Sequence, residues 1–243
     1  MIEYTRHSPS ALNLFAADTA MFVLERVLGM KQPVGAPAHR GSAVEEGVTA
    51  GLLEPKASIP SCVNMALTKY DTLTALSSDP RTEKYREMIP AMVKTGLEEL
   101  RKYGIPSGTQ GEVLWTPDDL KLPVVGYYDY RWDKEGILVD LKTTEKMPSQ
   151  IKIGHARQVS LYAGSDNLDA RLCYVTPKRI EVYGLENIRK HRDALRRIAK
   201  SVENFLALSD DPQFYVNMTA PNLEGFYWGN PAARQLAFDI WGI

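Results

Sequence analysis

The sequence has 243 residues, 44% hydrophobic and 24% charged, with a formal net charge of −1. A chain of that length and balance can bury a full core, and its bulk charge does not announce a nucleic-acid partner, so any such partner has to be met by cations clustered locally. Two cysteines, Cys62 and Cys173, supply no disulfide framework, exclude a four-cysteine iron–sulfur cluster and suit a reducing, cytoplasmic setting. No signal-peptide pattern and no membrane-spanning apolar run is expected.

In chain order, Ser8-Pro9-Ser10 starts a helix with proline in its first turn. The stripe Leu12, Phe15, Ala16, Met21, Phe22, Leu24 and Val27 predicts that it runs to Gly29. Lys31 to Ala38, with Pro33, Gly35 and Pro37, reads as a loop. The stretch from His39 to Val48 follows, and its adjacent Glu45 and Glu46 read most simply as a solvated helix face. Residues 61–76 and 81–103 read as two more helices. In the latter, Ile89, Met92, Val93, Leu97 and Leu100 recur at helical spacing and Gly104 is the stop. Lys84, Arg86, Lys94, Arg101 and Lys102 read as solvated charge, with DNA contact as the sharper alternative.

From Thr109 the pattern turns to strands. Glu112–Trp115 is the first, and Pro117-Asp118-Asp119 a turn. Leu122–Trp132 and Ile137–Lys142 flank Asp133-Lys134-Glu135-Gly136, which predicts a hairpin. With Lys134-Glu135 as its loop, Trp132 pairs with Ile137, and counting outward sets Asp129 opposite Asp140. Directly opposed residues have Cβ atoms roughly 4.5–5.5 Å apart, and like charges there repel. A cation between the two carboxylates would turn that repulsion into a site. Strand alternation puts Asp140 and Lys142 on one face. The plainer alternative is a strand-end Asp129 and a surface ion pair, but Asp140 follows the apolar run Ile137-Leu138-Val139, where an unpaired carboxylate is costly.

A helix from Pro148-Ser149 to about Tyr162 or Ala163 carries Gln158 and Tyr162 four apart, hence on one side. Arg171–Val175 and Arg179–Tyr183 are strands. Leu185–Leu208 is an amphipathic, basic helix bearing Lys190, His191, Arg192, Arg196, Arg197 and Lys200. Aromatic residues from Phe214 to Trp241 predict a packed tail. This order predicts a mixed α/β sheet with helices on its faces. The expected organisation is one domain over 1–243: a helical part to about 105, an α/β core over about 106–208, and a tail over 209–243.

Three pieces together resemble a known family. Gly126-Tyr127-Tyr128-Asp129, Val139-Asp140-Leu141-Lys142-Thr143-Thr144 and Gln158-Val159-Ser160-Leu161-Tyr162 are similar to the GxxD, D-x-K and QxxxY motifs of the PD-(D/E)xK nuclease superfamily, RecB-type branch. His39-Arg40-Gly41-Ser42-Ala43-Val44-Glu45 is similar to its opening Arg-Gly-Thr-Ala-x-His motif, with Glu45 where the family has His. The resemblance implies a restriction-endonuclease-like fold and a stand-alone, metal-dependent DNA exonuclease that leaves 5′-phosphates in DNA processing, recombination or repair. It implies Mg²⁺ or Mn²⁺ held by Glu45, Asp129, Asp140 and the Leu141 carbonyl, and oxygen donors suit such hard cations. It further implies catalytic roles for Asp129, Asp140, Lys142, Gln158 and Tyr162, and DNA contacts by Arg40, Ser10 (or Ser8), Gln158 and Tyr162. Two alternatives stand beside it: a structure-specific or restriction-type endonuclease, and an inert nuclease-fold DNA-binding subunit. Which of Glu45 and Glu46 is the ligand stays open.

Overall fold

In the computed structural model, which describes residues 2–164 and 168–243, Ser8 caps the first helix by accepting from Ala11 N at 3.2 Å. Helix α1 (Pro9–Ala17) starts where the sequence predicts, but it does not run to Gly29. Asp18 is extended (φ −155°, ψ 96°), and its carboxylate accepts from Met21 N at 2.8 Å. A side-chain acceptor there replaces the backbone one and restarts the helix. Helix α2 (Thr19–Phe22) and a π-helical turn Val23–Val27 follow, and Gly29 then takes a positive φ of 71°.

Helix α3 (Ala36–Leu53) begins inside the predicted loop. Pro37 is no obstacle, because the first turn leaves its N–H groups without intrahelical partners. After α4 (Ile59–Thr74), the predicted 81–103 helix is broken into α5 (Thr82–Arg86), α6 (Ile89–Leu100) and a 3₁₀ turn, Arg101–Tyr103. Pro90 cannot donate to the carbonyl of Arg86, so α5 cannot pass through it. Gly104, at φ +81°, ends the segment as expected.

The strands are β1 (Gly108–Trp115), β2 (Val124–Trp132) and β3 (Ile137–Thr143), then α7 (Ile153–Ala163), β4 (Asp169–Val175) and β5 (Ile180–Gly184). Helix α7 starts later than Pro148. The Pro148 carbonyl accepts from Tyr183 Oη at 2.7 Å, and Lys152 N donates to Tyr174 Oη at 3.3 Å. The chain ends in α8 (Ile188–Leu206), α9 (Pro212–Met218) and α10 (Pro231–Trp241).

The five strands form one open mixed sheet in the order β1-β2-β3-β4-β5. β2 and β3 are antiparallel, β3 and β4 parallel, β4 and β5 antiparallel. Side chains alternate across it. Tyr130, Trp132, Val139, Leu141, Cys173 and Val175 belong to a core built with α3, α4 and α6, whose Val44, Val48, Tyr70, Val93 and Leu97 are fully buried. Asp140, Lys142 and Tyr174 therefore project from the other face.

The chain divides into two units. One comprises Met1–Pro33, Val113–Gly126 and Arg189–Ile243, the other Val34–Glu112 and Tyr127–Ile188. In the first, α8 buries Leu195, Ala199 and Val202, and Phe205 packs edge-on against Phe15. Its aromatic tail is packed: Tyr215 and Trp228 have no exposed surface, and the Trp228 indole donates to Asp18 at 2.8 Å. The second unit holds every residue of the constellation described next. Among the described residues, no helix is long and apolar enough to cross a membrane.

Candidate functional site

The turn residues set the hairpin. Trp132 pairs with Ile137, Arg131 with Leu138 and Tyr130 with Val139, the register counted from the sequence. The paired register ends at Tyr130 and Val139; Asp129 and Asp140 are the next residues outward in it. Asp129 is 8% exposed and Asp140 not at all. The Leu141 N–H donates to Asp129 Oδ2 at 2.7 Å. Neither oxygen of Asp140 accepts a well-formed hydrogen bond, although Lys142 Nζ lies 2.6 Å from its Oδ2. Burial, then the Asp140 charge, holds the Asp129 carboxyl well above the usual carboxylate range, against the opposing pull of Lys142. For Lys142, burial pulls the ammonium down, but the Asp140 and Asp129 charges outweigh it and hold its pKa above the ordinary lysine value.

Helix α3 brings a third carboxylate. Its phase is set by Ala43, Val44 and Val48, all fully buried, so Glu45 is half-buried at the edge of that face and Glu46 is exposed. Tyr130 Oη pins this turn, donating to the Glu45 carbonyl at 3.3 Å and meeting Thr49 Oγ1 at 3.0 Å. Burial raises the Glu45 carboxyl; Lys142 opposes that shift, while Asp140 and Glu46 add to it.

Gln110 was not singled out in the sequence. Its Nε2 donates to Glu45 Oε1 and lies 3.4 Å from Asp129 Oδ1, bridging two of the three carboxylates. Its backbone is left-handed, at φ +51°. Gly108 and Gly111 flank it, and a Cβ on Gly111 would overlap the Tyr128 ring. Glycines inside a strand signal a bulge or a close approach, and Gly108-Thr109-Gln110-Gly111 carried that signal.

On α7, Gln158 Nε2 donates to Tyr162 Oη at 2.8 Å. Tyr162 is 5% exposed, and burial, reinforced by the Asp140 charge, keeps its phenol protonated well above the ordinary range. His155, also not anticipated, shares a 2.7 Å hydrogen bond with Tyr174 Oη. Burial and the neighbouring Lys142 charge bring its pKa down to about 4, so its ring is neutral.

Arg40 is almost wholly buried. Its guanidinium stacks over Tyr85 at 5.0 Å, reaches Thr143 Oγ1 at 3.4 Å and Met88 Sδ at 3.5 Å, and leaves Nε without a partner. The nearby Glu145 is taken by Lys84 and by Tyr85 Oη, each at 2.6 Å. Ser10 belongs to the first unit, where it is exposed and 3.1 Å from Ser8 Oγ. Leu141 turns its side chain into the core and gives its N–H to Asp129.

Among the described residues, no three His, Cys, Asp or Glu side chains are gathered as a ready metal cage. What stands together is the pair Asp129 and Asp140, with Glu45 tied to Gln110. The pair fits a hard divalent cation on one observation: Oδ1 of the fully buried Asp140 has no hydrogen-bond partner, and Oδ2 has only the Lys142 ammonium beside it.

No family model matches the chain, and no curated protein matches it. Among solved structures, a crystal structure of SSO0001 matches with a TM-score of 0.40 and 16% identity, over 79% of this chain and 96% of that one. A likeness of that size carries no argument about what this chain does.

Proposed function

We propose that this chain is a Mg²⁺- or Mn²⁺-dependent DNA nuclease of the PD-(D/E)xK kind, on a restriction-endonuclease-like sheet, acting as an exonuclease that leaves 5′-phosphates. One observation carries the reading: two buried carboxylates, Asp129 and Asp140, share a site with an ammonium, Lys142, 2.6 Å from the second. In this reading Asp129, Asp140 and the Leu141 carbonyl hold the cation, and Glu45 completes the set. When bound, the ion polarises the scissile phosphate and acidifies water. Lys142, kept charged by its neighbours, offers N–H donors to the attacking water or a non-bridging phosphate oxygen. Tyr162, kept protonated, donates while held in place by Gln158. Arg40, with only weak partners, supplies fixed positive charge behind Thr143. The exposed Arg189, Lys190 and Arg197 of α8 give sequence-independent attraction for phosphates.

A second reading, an inert nuclease-fold DNA-binding subunit, draws on the Gln110 bridge, which satisfies Glu45 and Asp129 without a metal. The test is incubation of end-labelled linear and closed circular DNA with Mg²⁺, Mn²⁺ or Ca²⁺. Mononucleotide release from linear DNA alone supports the exonuclease, and cutting of the circle makes it an endonuclease. DNA binding without cleavage in either Mg²⁺ or Mn²⁺ leaves the inert subunit.

A further inference from the structure

We infer that Gln110 is a built-in stand-in for the cation: its side-chain amide occupies the place between Glu45 and Asp129, and a divalent ion enters there by displacing it. This rests on the metal-site reading above and adds a residue that the motifs do not contain. The amide nitrogen carries two N–H donors, and both carboxylates lie against it, Glu45 Oε1 and, at 3.4 Å, Asp129 Oδ1. An –NH₂ group set between two carboxylates mimics the polarity of an ion but brings no net charge. It therefore offsets only part of the repulsion, which Asp140 increases from beside Asp129 and Lys142 reduces. A divalent ion would offset more of it, and Asp140, whose Oδ1 has no hydrogen-bond partner, would be one of the residues to hold it.

The backbone explains why the amide is delivered there. A non-glycine residue at φ +51° persists only where its surroundings over-determine it. Here the Tyr128 ring packs against Gly108 and Gly111, and Tyr127 Oη donates to Glu112 at 2.7 Å, so the strand is held on both sides of Gln110. The side chain itself is exposed, so it can swing into water without losing buried surface. Gln110 thereby sets the ion concentration at which the site fills and keeps the carboxylates from repelling one another below it.

Calorimetric titration of Ca²⁺ and Mn²⁺ into wild type and Gln110→Ala tests this without using activity. Hydrogen bonds to charged groups are strong enough that losing this competitor should tighten ion binding by about 10- to 100-fold. Equal or weaker binding by Gln110→Ala, with wild type still binding, overturns the inference and leaves the metal site standing. If neither protein binds a divalent ion, or if Asp140→Ala binds as well as wild type, the metal-site reading fails and this inference with it. Should the variant not fold, NMR of the Gln110 side-chain amide in wild type serves instead. Its protons should exchange slowly without metal and move to free-amide positions with Ca²⁺; no movement on Ca²⁺ binding overturns the proposal.

Discussion

Lys142 Nζ stands 2.6 Å from Asp140 Oδ2, and this pairing is the main compensation for a carboxylate that has no exposed surface. Removing one partner of a buried pair leaves the other uncompensated and costs about 3–5 kcal/mol. Lys142→Ala should therefore melt well below wild type without metal and recover part of the difference in Mn²⁺. Its cleavage in Mg²⁺ should fall by about 10²–10³, as for loss of one preorganised donor, while DNA binding in Ca²⁺ persists. Equal cleavage rates for the two proteins would refute the role of Lys142.

Asp140→Ala should abolish the Mn²⁺ heat that wild type gives in calorimetry. The removed carboxylate is the one whose oxygens have no other donors to satisfy them. Unchanged affinity would move the site elsewhere.

Asp129→Asn tests the raised carboxyl. A native pKa above the unfolded one means that the folded state binds the proton more tightly. The wild-type carboxyl thus favours folding below the unfolded carboxylate range and loses that contribution as pH rises through its native value. Asparagine does not titrate and can still accept from Leu141 N. In EDTA it should raise the thermal midpoint at pH 8, and the gain should vanish below about pH 4. A gain that is absent at pH 8, or that persists unchanged at pH 4, would show that burial and Asp140 do not perturb Asp129.

Glu45→Gln should lower cleavage more than tenfold and weaken Mn²⁺ binding, with Glu46→Gln near wild type, because Glu46 is exposed and Glu45 is half-buried and tied to Asp129 through Gln110. Equal effects would place the two glutamates in one role. The pair is best compared on purified proteins of matched thermal midpoint.

Replacing Arg189, Lys190 and Arg197 together by Glu should weaken DNA binding uniformly across sequences. The salt dependence should become shallower by about one in slope for each phosphate that α8 no longer neutralises. An unchanged slope would mean that α8 does not touch DNA.

Much of this arrangement was legible because it is local. Asp133-Lys134-Glu135-Gly136 could only be a turn between two apolar runs. The two-residue period of a strand then set Trp132 against Ile137 and put Lys142 on the face of Asp140. The stops at Gly29 and Gly104 were legible for the same reason, since each needs a positive φ. Two helices predicted as continuous were not, because Asp18 captures Met21 N and Pro90 cannot donate to Arg86.

Sequence by itself thus determined the order of the elements, the hairpin register and the face that carries two carboxylates and an ammonium, all of which follow from backbone periodicity over a few residues. Only the tertiary structure decided which glutamate joins them and what lies between. The phase of α3 is chosen by burying Ala43, Val44 and Val48 in the core shared with α4, α6 and the sheet, which leaves Glu45 half-buried and Glu46 in water. The left-handed backbone at Gln110 is imposed by the Tyr128 ring lying across Gly108 and Gly111. Both depend on side chains distant in sequence competing for the same space, and no local pattern records which of them wins.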